Sequence, residues 1–393
     1  MIHSTASLKA EAVQRTGLND FGNPWFEAPV GMWARDLNWS QLNDRGRAFL
    51  ARLAVTNLCR RLEVIDWLNR HPAIDDVAVP PIVYVSGMER SGTTLLHNLL
   101  ALDPRGRALL RWELMHPVPA PTTETYRSDP RIADVQRAAD QLRGTPLERM
   151  HWVNADDPEE CVWGAFDCTG LLGRAGAAVM PNWSAWIDSA DLMPSYREYR
   201  RLIRLLIWRN PLPEGGHLVL KCPQHSRDLL TLAQAFPEAR FVLTHRDPFR
   251  TSVSACALIA GIDAPFAADS EAFAWGGDWV RTTVASMERS AVGMTAFAGA
   301  SHPRADVAYP QLITDPAGTV RAIYAALGLD WPEGFDARIG AFLAAQASGK
   351  RARPPAELPT FGLEHASYLA RQAMAAYCRR FGIAPEVTRQ TGA

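Results

Sequence analysis

Residues 82–100 read IVYVSGMERSGTTLLHNLL, and this stretch decides the fold class. Ile82, Val83, Tyr84 and Val85 form a short apolar run of strand character, while Leu95, Leu96, Leu99 and Leu100 recur at helical spacing. The segment from Ser86 to Thr94 therefore joins a strand to the start of a helix. At such a junction the unpaired backbone N–H groups and the helix dipole favour an anion, and Gly87 and Gly92 let the backbone approach it closely. From Gly87 to Gly92 the spacing is GxxxxG, as in triphosphate-binding loops, but where those loops continue with Lys this chain has Thr93. Met88, Arg90, Ser91, Gly92, Thr93 and Thr94 are the candidate ligands of a phosphate-like group. Arg90 presents a planar fork to an anionic oxygen group from inside the loop. The competing reading is a plain glycine turn capped by Ser91 or a threonine.

A second stretch, HLVLKCPQHSRDLLTLAQAFPEARFVLTHRDPFRTSVSA over residues 217–255, alternates strand and helix. His217 to Leu220 is a short strand, Arg227 to Phe236 an amphipathic helix, Arg240 to Thr244 another strand, and a second helix follows from Arg250. This βαβα order implies a parallel sheet, and ligands of such sheets bind beyond the carboxyl ends of the strands. Lys221 and Arg246 fall at two of those ends, which suits one polyanionic ligand. Taken singly, each also fits a structural role, Lys221 as a surface lysine and Arg246 as an ion-pair partner of Asp247.

Together the two stretches resemble the sulfotransferases that use 3′-phosphoadenosine 5′-phosphosulfate. In that family an RSGTT or KSGTT loop grips the 5′-phosphosulfate, matching Arg90, Ser91, Gly92, Thr93 and Thr94. An Arg at a later strand end and a Ser eight residues on hold the 3′-phosphate, matching Arg246 and Ser254. The segment LKCPQH is similar to one in tyrosylprotein and related bacterial members, which implies that Lys221 supports the sulfuryl group. Residues 307–329, VAYPQLITDPAGTVRAIYAALGL, also resemble a family segment, so the likeness spans about residues 80 to 330. The implied co-substrate is 3′-phosphoadenosine 5′-phosphosulfate, with no metal expected. One departure is Leu95, where the cytosolic aryl and steroid enzymes usually carry a Trp that stacks on adenine.

Sulfuryl transfer is mainly positioning and charge stabilisation, and Arg90, Lys221 and the loop amides can supply the latter. The acceptor hydroxyl or amine must also lose a proton to a general base. Glu113 in RWELMHPVPAP is the first candidate, since the tyrosylprotein branch uses a glutamate in this region at an offset differing by two residues. Burial beside Trp112 would raise its pKa. His151 is the second candidate, and His225 and His116, each in a Pro-bearing turn, come after it. Asp156, Asp157, Glu159 and Glu160 form an acidic run that reads as a solvated helix start after Pro158. Trp152, Trp163, Phe166, Trp183 and Trp186 suit either a hydrophobic acceptor pocket or the core.

The chain has 393 residues, 47% hydrophobic and 21% charged, with a formal net charge of −1. With no long Lys/Arg block, this argues against a broad nucleic-acid or anionic-membrane surface and places any cationic field at the donor site. The expected architecture is α/β: a P-loop-like parallel sheet flanked by helices, with an N-terminal helical extension and helical insertions. Residues 1–79 form a helical region packing on the core, helical around Asn43 to Arg70. Residues 80–393 form the sulfotransferase domain, with an acceptor-pocket insertion at about 117–215. A C-terminal helix runs from about Tyr368 to Phe381, and the tail after Pro385 is expected to fray. No long apolar run and no signal-peptide core are present, so the expected setting is cytoplasmic, without membrane insertion. The six cysteines lack paired or zinc spacing and read as reduced core thiols, with Cys222 a reactive candidate should Lys221 depress its pKa. The expected function is transfer of a sulfuryl group to a hydroxyl or amine of a small, fairly apolar molecule, with no nucleic-acid partner and the oligomeric state open. The alternatives are a P-loop nucleotide or small-molecule kinase and a non-catalytic nucleotide-binding protein.

Overall fold

A computed structural model of the protein describes residues 2–39, 41–145, 154–165, 179–274, 276–348 and 358–386. Its centre is a five-stranded parallel sheet made of β1 (Ile82–Gly87), β2 (Gly106–Ala108), β3 (His217–Lys221), β4 (Ala239–His245) and β5 (Arg304–Ala308), in the order β2-β3-β1-β4-β5. β1 is the middle strand, with Val85 opposite Lys221 on one side and Gly87 opposite Thr244 on the other. The sequence placed β3 and β4 in one parallel sheet, and the structure inserts β1 between them. Where strand order diverges from a central strand, the loops leave a crevice at the carboxyl edge, and Gly87, Lys221 and His245 all end at that edge.

Both faces of the sheet are covered, which explains why the strands read as near-continuous apolar runs. Side chains alternate with the two-residue period of a strand. Ile82, Tyr84, Leu218, Leu220, Phe241 and Leu243 pack into the larger core, while Val83, Val85, Val219 and Val242 pack with Leu96, Leu99 and Leu100 into the smaller one. The helix Thr93–Leu100 thus sits on the smaller-core face, directly after β1.

N-terminal to the sheet, the helices Thr5–Thr16, Glu27–Leu37 and Asp44–Arg70 join the larger core. Asn43 caps the long helix by accepting a 2.7 Å hydrogen bond from the Gly46 N–H. The Arg61 guanidinium, almost fully buried, pairs with Glu198 at 2.6 Å and donates to the Phe21 and Asn23 carbonyls. Asp36, fully buried, accepts from the backbone N–H groups of Asn182 at 3.0 Å and Trp183 at 2.8 Å, capping the helix Pro181–Ile187. Burial pushes the Asp36 carboxyl up, and those hydrogen bonds oppose the rise. Trp183 packs edge-on to Trp33 at 6.0 Å, so it belongs to the core between N-terminal region and insertion.

Two helices differ from the sequence reading. In place of one helix over Arg227 to Phe236 there is a 3-10 turn, Pro223–Arg227, followed by the helix Leu229–Ala235. Asp228, at φ −128°, separates them because its backbone leaves helical geometry. The C-terminal helix is likewise split into His365–Leu369 and Gln372–Phe381.

Candidate active site

The loop between β1 and its helix holds two glycines with positive φ, Gly87 at 154° and Gly92 at 96°, and places Arg90 at φ 68°. A Cβ on Gly87 would come within 2.6 Å of the Thr244 carbonyl oxygen, so no other residue fits there. A non-glycine residue at positive φ costs on the order of 1 kcal/mol, and such strain concentrates at functional sites. Gly92 caps the helix without a side-chain acceptor, and among the described residues the Thr93 and Thr94 N–H groups find none. That leaves an anion cradle at the carboxyl edge of β1. Two predicted ligands brace the loop instead of facing the cradle with their side chains. Ser91 Oγ is buried between the Met88 carbonyl at 2.5 Å and Thr244 Oγ1 at 2.6 Å, and the buried Met88 sulfur lies 3.8 Å from Thr251 Oγ1.

The two loop cations converge. Arg90 Nε donates to Ser254 Oγ at 3.1 Å, and Arg246 Nη1 donates to the Arg90 carbonyl at 3.2 Å. The Arg246 guanidinium carbon stands 4.0 Å from the centre of the Tyr309 ring. Burial lowers the Arg90 pKa, and the neighbouring Arg246 charge adds to that, but a guanidinium stays protonated in proteins. Arg246 does not pair with Asp247. Its Nε and Nη2 meet the Glu386 carboxylate at 2.8 and 3.0 Å. The expectation that the chain frays after Pro385 therefore fails at Glu386, and residues 387–393 lie outside the described residues.

Lys221 ends β3 with its side chain 2% exposed, Nζ 2.6 Å from Glu160 Oε1 and 3.5 Å from Thr94 Oγ1. It is no surface lysine. Burial alone would lower its pKa, but the carboxylates of Glu160 and Glu159 outweigh burial and hold it above the usual lysine value. The acidic run is not a solvated helix start. Glu159 N–H donates to the Leu109 carbonyl and Cys161 N–H to the Lys221 carbonyl, both at 3.0 Å, which strings the segment along the sheet's carboxyl edge. Glu159 then pairs with Arg111 at 2.6 Å and Glu160 with Lys221. Among the described residues Glu160 Oε2 has no hydrogen-bond partner, so one carboxylate oxygen stands ready beside the loop.

Glu113 has a different setting. It is fully buried, with Oε2 accepting from Arg107 at 2.7 Å and Oε1 accepting from the Leu110 N–H at 2.8 Å and the Tyr126 hydroxyl at 2.6 Å. This carboxylate, with three donors, holds Arg107 and Tyr126 in place. His225 is buried with Nδ1 2.9 Å from the Tyr196 hydroxyl, and burial lowers its pKa to about 3. Burial also raises the Cys222 thiol well above its ordinary value, which makes it inert. His151, Trp152 and Phe166 lie outside the described residues. Sequence reasoning missed the pairing of Glu160 with Lys221, and only the acidity of Glu160 could have suggested it.

Residues 81–333 match the sulfotransferase family profile. Over 306 residues the chain is 26% identical to the omega-hydroxy-beta-dihydromenaquinone-9 sulfotransferase Stf3 of Mycobacterium bovis, covering 76% of this chain and 75% of that protein. The Stf3 of Mycobacterium tuberculosis matches equally well. The crystal structure of the sulfotransferase STF9 from Mycobacterium avium superposes with a TM-score of 0.87 at 25% identity, over 98% of both chains. That of STF1 from Mycobacterium tuberculosis gives 0.78 at 24% identity, over 95% of this chain and 99% of the other, a likeness of fold.

Proposed function

Since the chain belongs to the sulfotransferase family, we propose that it takes the sulfuryl group from 3′-phosphoadenosine 5′-phosphosulfate and passes it to a hydroxyl of a small, lipophilic molecule. The observation that carries this reading is the convergence of Arg90, Lys221, Arg246 and the free amides of Thr93 and Thr94 at one sheet edge. Four separate positive or donor elements there leave room for a ligand anionic at two ends. The donor supplies an electrophilic sulfur bonded to a phosphate leaving group. Arg90 and the loop amides hold the 5′ end, and Arg246 and Ser254 hold the 3′-phosphate. Lys221 neutralises charge on the departing phosphate oxygen, the kind of contact whose removal costs about 10²–10³ in turnover.

The acceptor oxygen attacks sulfur as the sulfur–phosphate oxygen bond breaks, and its proton goes to Glu160 Oε2. Glu160 takes the base role that the sequence assigned to Glu113, because it adjoins Lys221 and keeps one oxygen open. An apolar acceptor is supported by the named activity of the curated relatives. A nucleotide donor and thiols that are free in the structure suit a cytoplasmic setting, and no helix among the described residues is long and apolar enough to cross a membrane. The kinase and non-catalytic readings are not favoured by these likenesses.

The test is transfer of radiolabelled sulfate from the donor to a panel of prenyl alcohols, hydroxylated quinols and phenols. A labelled product partitioning into organic solvent is expected. Intact donor binding with no transfer across the panel would overturn the catalytic reading.

A further inference from the structure

The Nε–Nη2 edge of the Arg246 guanidinium is occupied within the protein itself. Nε and Nη2 hold both oxygens of Glu386 at 2.8 and 3.0 Å, while Nη1 holds the Arg90 carbonyl at 3.2 Å. Arg250 Nε approaches the same carboxylate at 3.9 Å, and the Glu386 N–H donates to Asp247 Oδ2 at 2.8 Å. A planar carboxylate gripped by two guanidinium N–H groups is the arrangement that a phosphate oxygen pair adopts on the same fork. A second anion cannot take that fork while the first remains, since both would need Nε and Nη2 and like charges would meet.

The chain around Glu386 divides into an anchored part and a short arm held at its end by Glu386. Tyr368 OH meets Ser252 Oγ at 2.5 Å, Tyr377 OH meets His245 Nδ1 at 3.0 Å, and the Phe381 ring stacks on His245 at 4.0 Å. Gly382, at φ 62°, ends the helix, and Ile383 N–H closes back on the Cys378 carbonyl at 3.0 Å. Beyond it only Ala384 and Pro385 separate the anchor from Glu386. The arm can therefore leave Arg246 without disturbing the core.

We propose that Glu386 is a built-in stand-in for the donor's 3′-phosphate, a carboxylate on the C-terminal arm that the nucleotide must displace from Arg246 on entry and that returns as the nucleotide leaves. This rests on reading Arg246 as the 3′-phosphate ligand. The arm lowers apparent affinity for every 3′-phosphorylated nucleotide by the fraction of time it is closed, and it assists release of the spent product. Nucleotides without a 3′-phosphate do not compete with it.

The test is calorimetric titration of wild type, Glu386→Gln and a chain ending at Ile383 with 3′-phosphoadenosine 5′-phosphate and, separately, ADP. Both variants are expected to bind the 3′-phosphorylated nucleotide about five- to ten-fold more tightly than wild type, as expected for release of a partly exposed ion pair. ADP affinity is expected to stay unchanged. Equal or weaker binding of the 3′-phosphorylated nucleotide in the variants overturns the proposal, as does an equal gain for ADP. A wild type that binds both nucleotides equally overturns instead the donor reading beneath it.

Discussion

Glu160 and Lys221 share an ion pair of 2.6 Å in which the lysine is 2% exposed and the glutamate 20%. The buried lysine is thus held charged by a more accessible carboxylate. Glu160→Gln keeps the shape and removes the basicity. We expect turnover with an alkyl alcohol to fall about 100-fold or more, in line with loss of a general base. A more acidic phenol, whose proton leaves with less help, should lose less. Steady-state rates for the two acceptors decide the matter, and equal losses would remove Glu160 from proton transfer.

Glu113→Gln should show itself in stability. Losing the charge opposite buried Arg107 leaves an uncompensated guanidinium, a change that costs about 3–5 kcal/mol when a buried pair is broken. Burial alone would lower the Arg107 pKa, but the Glu113 carboxylate outweighs it and holds the value above the usual one. A denaturant midpoint well below wild type is expected, with turnover per folded molecule changed far less than in Glu160→Gln. The reverse pattern, unchanged stability and lost turnover, would return the base role to Glu113.

Gly87→Ala should prevent a correct loop. The new Cβ would fall 2.6 Å from the Thr244 carbonyl and 2.9 Å from Ser91 Oγ, at a backbone φ of 154°. Overpacking of this kind costs about 1–3 kcal/mol before backbone strain is added. Thermal unfolding and nucleotide titration should both deteriorate, and a wild-type melting temperature would contradict the close approach of β1 and β4.

Acid should destabilise the fold through two buried rings. His97 and His225 both have pKa values lowered from 6.5 to about 3, in each case by burial first, with Lys221 and Arg227 respectively adding to it. The unfolded chain therefore takes up these protons before the folded one does. Stability is intact above about pH 6.5 and falls as pH drops toward 3, by up to roughly 1.4 kcal/mol per pH unit for each ring. Denaturant unfolding between pH 7 and 4.5 measures the slope, and His225→Gln should flatten it by about one proton. An unchanged slope in that variant would show that His225 is protonated in the folded state.

The loop, Lys221 and Arg246 were legible in the sequence because a parallel sheet brings every strand's carboxyl end to one edge, whatever the intervening chain does. Strand character ending in a glycine loop or a cation is a local signal with a global meaning. Glu160 was not legible, since its position depends on hydrogen bonds from its neighbours to Leu109 and Lys221, two distant carbonyls that no periodicity announces. Glu386 was hidden for a related reason: an end rich in small and polar residues reads as loose, and its partner stands 140 residues away. Sequence pattern fixes which elements form, while the pairing of charges across them is decided by the packed fold.

Asp36 and the residues it caps have a consequence for the order in which the molecule closes. Asn182 follows Asp36 by 146 residues, and at ribosomal rates of about 5–20 residues per second that interval lasts roughly 7–30 s. Through that time the nascent N-terminal helices have no helix start to cap and no indole of Trp183 to lie against Trp33. Glu198, the partner of buried Arg61, emerges later still. The part of the protein made first thus waits with its interior uncovered, and a ribosome stalled before residue 183 would hold out a helical, apolar surface for chaperones to shelter.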